Sequence, residues 1–262
     1  MITQVCIPLQ GSHTPEEVLK AHPSWNNGQV ACGESHAGCI DKDGAAYIWG
    51  KGVLGCLGDG IRDTHTELLP RPVTGLEAGV LQLDCGFRCT GALMQDGRLM
   101  TWGAGAHGHP STQPKLTPTY VEGLPPITSF ALGWHHAGAV SAEGTLYTWG
   151  RGEWGNLGLG TRRSHHTPQQ VLMPEASAGP PPYWRQVSCG RGTVTPVEGP
   201  GADGLHTLAI TEAGELWAWG AGHKGAAPLA RLLADCAALC TLQRDEREPH
   251  IIVVHANATP PL

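Results

Sequence analysis

Three histidines occupy one position of a recurring pattern. His36, His136 and His206 each open a short small-to-apolar segment, HAGCI, HAGAV and HTLAI, and a fourth copy carries Cys89 there. Imidazole and thiolate are good zinc ligands, and a ring of such side chains around an axis could hold a metal. One histidine per strand has a plainer use, a hydrogen bond inside a core, and the spacing favours that use. A second column carries Cys32, Cys85 and Cys189, with Leu132 in the remaining copy. A position that accepts Cys or Leu behaves as a small buried hydrophobe. His107 and His109, and His165 and His166, are loop pairs with no third ligand beside them. Neither a G-x-x-x-x-G-K-[ST] phosphate loop nor a G-x-S-x-G nucleophile elbow occurs, so the abundant glycines give only chance partial motifs. No catalytic residue, metal or cofactor is expected.

Composition narrows the partners. The 262 residues carry 17 Lys and Arg against 23 Asp and Glu, a formal net charge of -6, and the densest basic group is the pair Arg162 and Arg163. Binding nucleic acid through phosphates needs a concentrated basic surface, so no nucleic-acid partner is expected. No apolar stretch reaches the roughly 18–20 residues of a membrane span, and Met1–Gln10 has no basic segment of the secretory kind. The expectation is an intracellular protein without a membrane partner, its compartment left open between cytoplasm and nucleus. The nine cysteines are odd in number and contain no C-x-x-C, which fits reduced thiols better than a disulfide framework.

The elements that must position these columns are repeats. Trp49-Gly50, Trp102-Gly103, Trp149-Gly150 and Trp219-Gly220 end four related segments. In each, a glycine (Gly44, Gly97, Gly144, Gly214) precedes the Trp by five residues. Before that glycine runs a short apolar segment, as for a buried inner strand. After it come AAYIW, RLMTW, TLYTW and ELWAW, aromatic-rich as a half-buried strand prefers. A turn glycine between two such runs predicts a hairpin. The fourth copy alone carries an insertion, a stretch rich in Gly and Pro between Gly190 and His206. The fold class expected is all-β, a β-propeller of four repeats whose ring is partial or irregular, with a short C-terminal helix.

The third copy, ALGWHHAGAVSAEGTLYTWGRGEWGNLGLGTRRSHHTPQQV, resembles the regulator of chromosome condensation repeat. Its marks are Gly133, His136, Gly144, Tyr147, Trp149-Gly150, the run Gly155 to Gly160, and Pro168 before Val171. The first copy repeats the tail as GVLGCLGDG, with Pro70 and Pro72 before Val73; the second is weaker, and the fourth loses it. Family propellers usually have seven blades, so four make part of that ring. Residues 1–28 are read as an N-terminal segment with a strand at Thr3–Leu9 and a short helix from Thr14 to Lys20. Residues 29–225 are read as the propeller. Residues 226–262 are read as a helix, with Leu229, Leu232, Leu233, Cys236, Leu239 and Cys240 on one face, and a strand in EPHIIVVHANA that could pair with Thr3–Leu9.

The resemblance implies a non-enzymatic protein-binding scaffold or adaptor. The alternatives are a guanine-nucleotide exchange factor for a small GTPase, as the founding member of the family is, and a structural subunit of a large complex. Binding residues are sought in Trp134, Trp154 and, within the insertion, Glu198 and Asp203. Trp134 resembles part of the motif that plant UV-B photoreceptors of this fold use. Its neighbour is His135 where those have Arg, which favours partner contact over light sensing.

Overall fold

The computed structural model describes residues 29–76, 78–172, 183–191, 205–220, 240–244 and 251–256. All their regular structure is β: seventeen strands in four antiparallel sheets. The chain divides into two compact units, 1–127 and 128–262.

The first unit holds two sheets. One is β1 (Val30–Cys32), β2 (His36–Ile40), β3 (Ala46–Gly52) and β4 (His65–Pro72), in that order. The other is β5 (Val80–Cys85), β6 (Cys89–Met94), β7 (Leu99–Gly103) and β8 (Lys115–Tyr120). The second unit repeats this with β9 (Ile127–Leu132), β10 (His136–Ser141), β11 (Leu146–Gly150) and β12 (His165–Gln170). Its last sheet contains β13 (Trp184–Cys189), β14 (His206–Thr211), β15 (Leu216–Gly220), β16 (Cys240–Arg244) and β17 (Ile251–Ala256), ordered β13-β14-β15-β17-β16. The expected hairpin is therefore the middle of each sheet, with one strand before it and others after it.

The hairpin glycine does the work its place predicts. In the third sheet Gly144 N donates to Ser141 O at 2.9 Å and Ser141 N donates to Thr145 O at 2.9 Å. Gly144 has φ +73°, the left-handed end of a type I turn that closes a three-residue loop. The glycine after Trp has a different cause. A Cβ on Gly103, φ +89°, would collide with Arg88 O, because Ala104 N reaches back to that carbonyl at 2.8 Å. The Trp-Gly pair thus marks a backbone crossing that no side chain can enter.

The fourth strands of the first three sheets, β4, β8 and β12, bulge opposite the Trp. Thr101 pairs with Thr119 and Gly103 with Lys115, so Leu116, Thr117 and Pro118 face Trp102 alone. Proline is tolerated there because a bulge needs no donor. The buried valine just beyond closes the strand: Val73, Val121 and Val171 donate their N–H to Ala46, Leu99 and Leu146.

The sheets of a unit pack face to face on apolar cores. In the first unit Ile40, Ile48, Leu57, Val80, Leu83 and Trp102 form one cluster. In the second, Val140, Leu146, Trp184, Val187, Ala209 and Trp219 form its counterpart. A buried side chain of Leu size or larger contributes about 1.5–3 kcal/mol, so these clusters hold the pairs of sheets together.

The inserted residues leave the fourth repeat's local turn intact. Gly190 N donates to His206 O at 2.8 Å, the same bond that Gly33 makes to His36 and Gly133 to His136. Residues 192–204 lie outside the described residues. Two expectations at the C-terminus change. Cys240, read as helical, opens strand β16, while residues 229–239 lie outside the described residues. EPHIIVVHANA does contain a strand, β17, but both its edges are occupied, by β15 and β16. It has no edge left for Thr3–Leu9, which also lies outside the described residues.

Candidate functional site

The histidine column is placed by the second strand of each sheet, and in both units it does one thing. His36 Nε2 lies 2.9 Å from Thr90 Oγ1. Thr90 Oγ1 donates to Cys56 O at 2.7 Å, and Trp102 Nε1 donates to the same carbonyl at 2.9 Å. In the second unit His136 Nε2 lies 2.9 Å from Thr207 Oγ1. Thr207 Oγ1 and Trp219 Nε1 both donate to Asn156 O, at 2.6 and 3.0 Å. A hydroxyl that gives its proton to a carbonyl can only accept from the imidazole, so each histidine carries a proton on Nε2.

Burial pushes His136 down to about 3, with His206 a smaller cause in the same direction. This is a latch between adjacent sheets rather than a ligand set. His206, the last of the column, is half-buried, and burial also lowers its pKa. Columns without the latch residues are visible in the sequence: Cys89 replaces His, and Ala37 and Ala137 replace Thr.

The cysteine column is packed as its exchange with leucine suggests. Cys85 and Cys189 are buried and Cys32 is partly so, and Cys32, Cys39, Cys56, Cys85, Cys89 and Cys189 form no disulfide with one another. Burial pushes the Cys39 thiol up to about 12, with the Asp41 carboxylate adding to it, and burial raises Cys56 as well.

The first pair of loop histidines is buried too. His107 and His109 stack at 5.1 Å between ring centroids, and His109 Nε2 lies 3.0 Å from Thr101 Oγ1. Burial, with Lys115 nearby, lowers the His109 pKa. His165 and His166 open β12 at the surface.

A grouping the sequence did not suggest is Asp59, His65 and Glu67, whose ligand atoms lie within 4.8 Å of one another. His65 Nε2 meets Asp59 Oδ2 at 2.7 Å, and Arg71 takes Glu67 at 2.6 Å. The Asp63 carbonyl, with Asp59, raises the His65 pKa. These contacts make a surface ion-pair network on β4 and the loop before it.

The predicted binding residues are not brought together. Trp134 and Trp154 are each half-buried, on the turn before β10 and the loop after β11. Glu198 and Asp203 lie outside the described residues. What sequence reasoning missed is apolar exposure on an outer strand. Leu68 and Leu69 in the bulge of β4 are 68% and 59% exposed. The signal was there: Leu68-Leu69-Pro70 aligns with Leu116-Thr117-Pro118.

The loops after the third strands differ between the units. In the first, Gly55 and Gly60 of residues 53–60 are crossed by β8. A Cβ on Gly55 would lie 2.8 Å from the Leu116 side chain, and Gly60 N donates to Leu116 O at 3.0 Å. In the second, a Cβ on Gly155 meets no described atom within 4 Å.

Comparison with known proteins agrees with this architecture. The model of the regulator of chromosome condensation (RCC1) repeat matches residues 43–93, 96–140 and 143–195. This chain belongs to the RCC1 repeat family. Each match begins at a hairpin turn and runs into the following repeat, so the first contains both Cys56 and Thr90, two parts of one latch.

The ultraviolet-B receptor UVR8 of Arabidopsis thaliana is 33% identical over 202 residues, which is 75% of this chain and 41% of the receptor. The chain therefore spans well under half of that relative's length. The human WBSCR16 crystal structure superposes with a TM-score of 0.57 at 26% identity, over 73% of this chain and 47% of that one. Prp20p of Saccharomyces cerevisiae gives a TM-score of 0.60 at 19% identity, over 88% of this chain and 50% of that one, a likeness of fold alone. These neighbours support the propeller-type assignment made from the repeats.

Proposed function

We propose that this RCC1-type chain is a non-enzymatic protein-binding scaffold. The observation that carries the reading is Leu68 and Leu69. The polar side chains of the repeat are used in latches between sheets, while two leucines stand exposed on an outer strand. Their counterpart Leu116 is packed over a neighbouring loop. Adjacent exposed apolar side chains on a rigid edge suit protein contact better than solvent. The test is Leu68→Asp with Leu69→Asp in the full chain. Both residues are exposed, so folding and melting should be unchanged and capture of a protein partner should fall by about tenfold or more. Unchanged capture would move the site elsewhere.

A second reading, exchange factor for a small GTPase, is favoured by one neighbour. The Prp20p structure is described with its binding properties to Gsp1p and histones. Accelerated nucleotide release from a small GTPase by the purified chain would support it over the scaffold reading.

A further inference from the structure

Strand β4 is longer than its counterparts, with eight residues where β8 and β12 have six. The pairing shows where the extra residues lie. Glu67, Lys115 and His165 stand opposite Gly50, Gly103 and Gly150, equally far before Val73, Val121 and Val171. In the first sheet the ladder continues back through Thr66 to His65, opposite Lys51 and Gly52. Side chains two apart on a strand share a face. His65 and Glu67 are accordingly half-buried, while Thr66 between them is exposed.

The extension carries His65 onto the loop 53–60. Its imidazole packs against Gly52, where a Cβ would come within 2.6 Å of His65 Cε1. Asp59 completes the group from the end of that loop, its Oδ1 accepting from Ile61 N at 3.0 Å. The third repeat has Leu159 after Gly158 where the first has Asp59 after Gly58, and His165 in the place of Glu67. The combination therefore belongs to the first repeat and is not part of the repeat's common framework.

His65 is oriented as a ligand. Its Nδ1 lies 3.0 Å from the Asp63 carbonyl, which can only accept, so Nδ1 carries a proton. That bond turns Nε2 towards Asp59 Oδ2, 2.7 Å away. One ring nitrogen held by a backbone carbonyl, with the other aimed at carboxylates, is the arrangement that orients a metal-bound histidine. Ligand atoms of Asp59, His65 and Glu67 lie within 4.8 Å of one another. Bonds of about 2.0–2.2 Å in a tetrahedron place such atoms roughly 3.4 Å apart. Asp59 and His65 need only part slightly, and Glu67 moves in by leaving Arg71, its exposed partner at 2.6 Å. Two carboxylates and a neutral imidazole balance the charge of a divalent cation.

We propose that Asp59, His65 and Glu67 form a zinc-type site, with water in the fourth position, that pins the start of β4 to the loop 53–60. The nitrogen ligand favours borderline transition ions over Mg2+ and Ca2+, which take oxygen. Binding replaces the proton on Nε2, which goes to solvent, and breaks the Glu67–Arg71 pair. Cys56 of the same loop supplies the latch carbonyl, so the ion ties the outer strand to the latch. The site is independent of the scaffold reading.

The test titrates Zn2+ into the full chain, stripped of metal, in competition with a chromogenic chelator. Wild type should bind one equivalent that Asp59→Asn with Glu67→Gln binds at least about a hundredfold more weakly. Added Zn2+ should raise the melting temperature of wild type and not of that variant. Arg71→Gln frees Glu67 and should tighten binding severalfold, a change of opposite sign that also serves if the double variant folds poorly. A large excess of Mg2+ should leave the Zn2+ in place. Equal binding by wild type and the double variant would put the ion on cysteines or other histidines and overturn the proposal. Displacement by Mg2+ would mark a diffuse acidic surface and overturn it as well, as would the absence of a stoichiometric equivalent or weaker binding by Arg71→Gln.

Discussion

The two units share one latch and differ in one cover. In both, a histidine, a threonine, a loop carbonyl and an indole join two sheets with matching distances. In the first unit, β8 also crosses the loop that supplies the carbonyl; in the second, no described atom lies over Gly155. The latch depends on the second and third strands, which every repeat keeps. The cover depends on the fourth strand and its bulge, which the last repeat replaces with a regular β17. Packing between neighbours through the latch is thus carried by one half of the repeat, and the crossing of the loop by the other.

The strongest way to break the comparison is at the turns. Gly144 and Gly214 both have positive φ, but a Cβ on Gly144 would lie 2.5 Å from the Tyr183 ring while one on Gly214 meets no described atom within 4 Å. Gly144→Val should cost about 3–4 kcal/mol, strain plus clash, and Gly214→Ala about 1 kcal/mol, backbone strain alone. Chemical denaturation measures both; equal costs would show that the clash relaxes freely.

Acid should loosen the second unit next. Burial lowers His136 to about 3 and lowers His135 and His206 as well, all in the second unit. Each such imidazole binds a proton when unfolded but not when folded. The stability it lends is present above the unfolded pKa and is lost as pH falls from about 6.5 towards 3. In the first unit His109 is lowered but the more exposed His65 is raised, the opposite sign. Hydrogen exchange at pH 5 against pH 7 should therefore show loss of protection in β10 and β14. Protection retained there at pH 5 would contradict the assigned burial.

The latch itself predicts equality. Thr90→Val and Thr207→Val each leave a buried imidazole N–H without its acceptor, costing about 1–3 kcal/mol apiece. The two costs should agree within about 0.5 kcal/mol; a larger gap would mean the latches are not equivalent.

The smallest effect concerns the cover. The Leu116 side chain seats on Gly55, whereas that of Leu68 stands in solvent. Truncating a packed leucine removes buried apolar area, so Leu116→Ala should cost on the order of 1 kcal/mol or more. An exposed leucine has little to lose, so Leu68→Ala should cost less than about 0.5 kcal/mol. A comparable loss at Leu68 in chemical denaturation would mean that it too is packed in solution.

The sequence alone determined the repeat, its turn glycines, its buried Trp and the all-β class. Strand alternation, turn chemistry and a fixed spacing are local, and each reads directly from a single copy of the repeat. It also indicated that His36 and His136 were core residues, though not what they bond. Only the tertiary structure decided that. The latch joins residues 34 to 71 positions apart, and such bonds form only after sheets have stacked. The tertiary structure likewise decided that residues around Cys240 become strand rather than helix. Apolar residues spaced to line one helical face were overridden at that end by pairing with β17. Exposure of Leu68 was equally beyond the sequence, because whether a residue is covered depends on its neighbours in space, and the spacing of residues within one repeat carries no record of them.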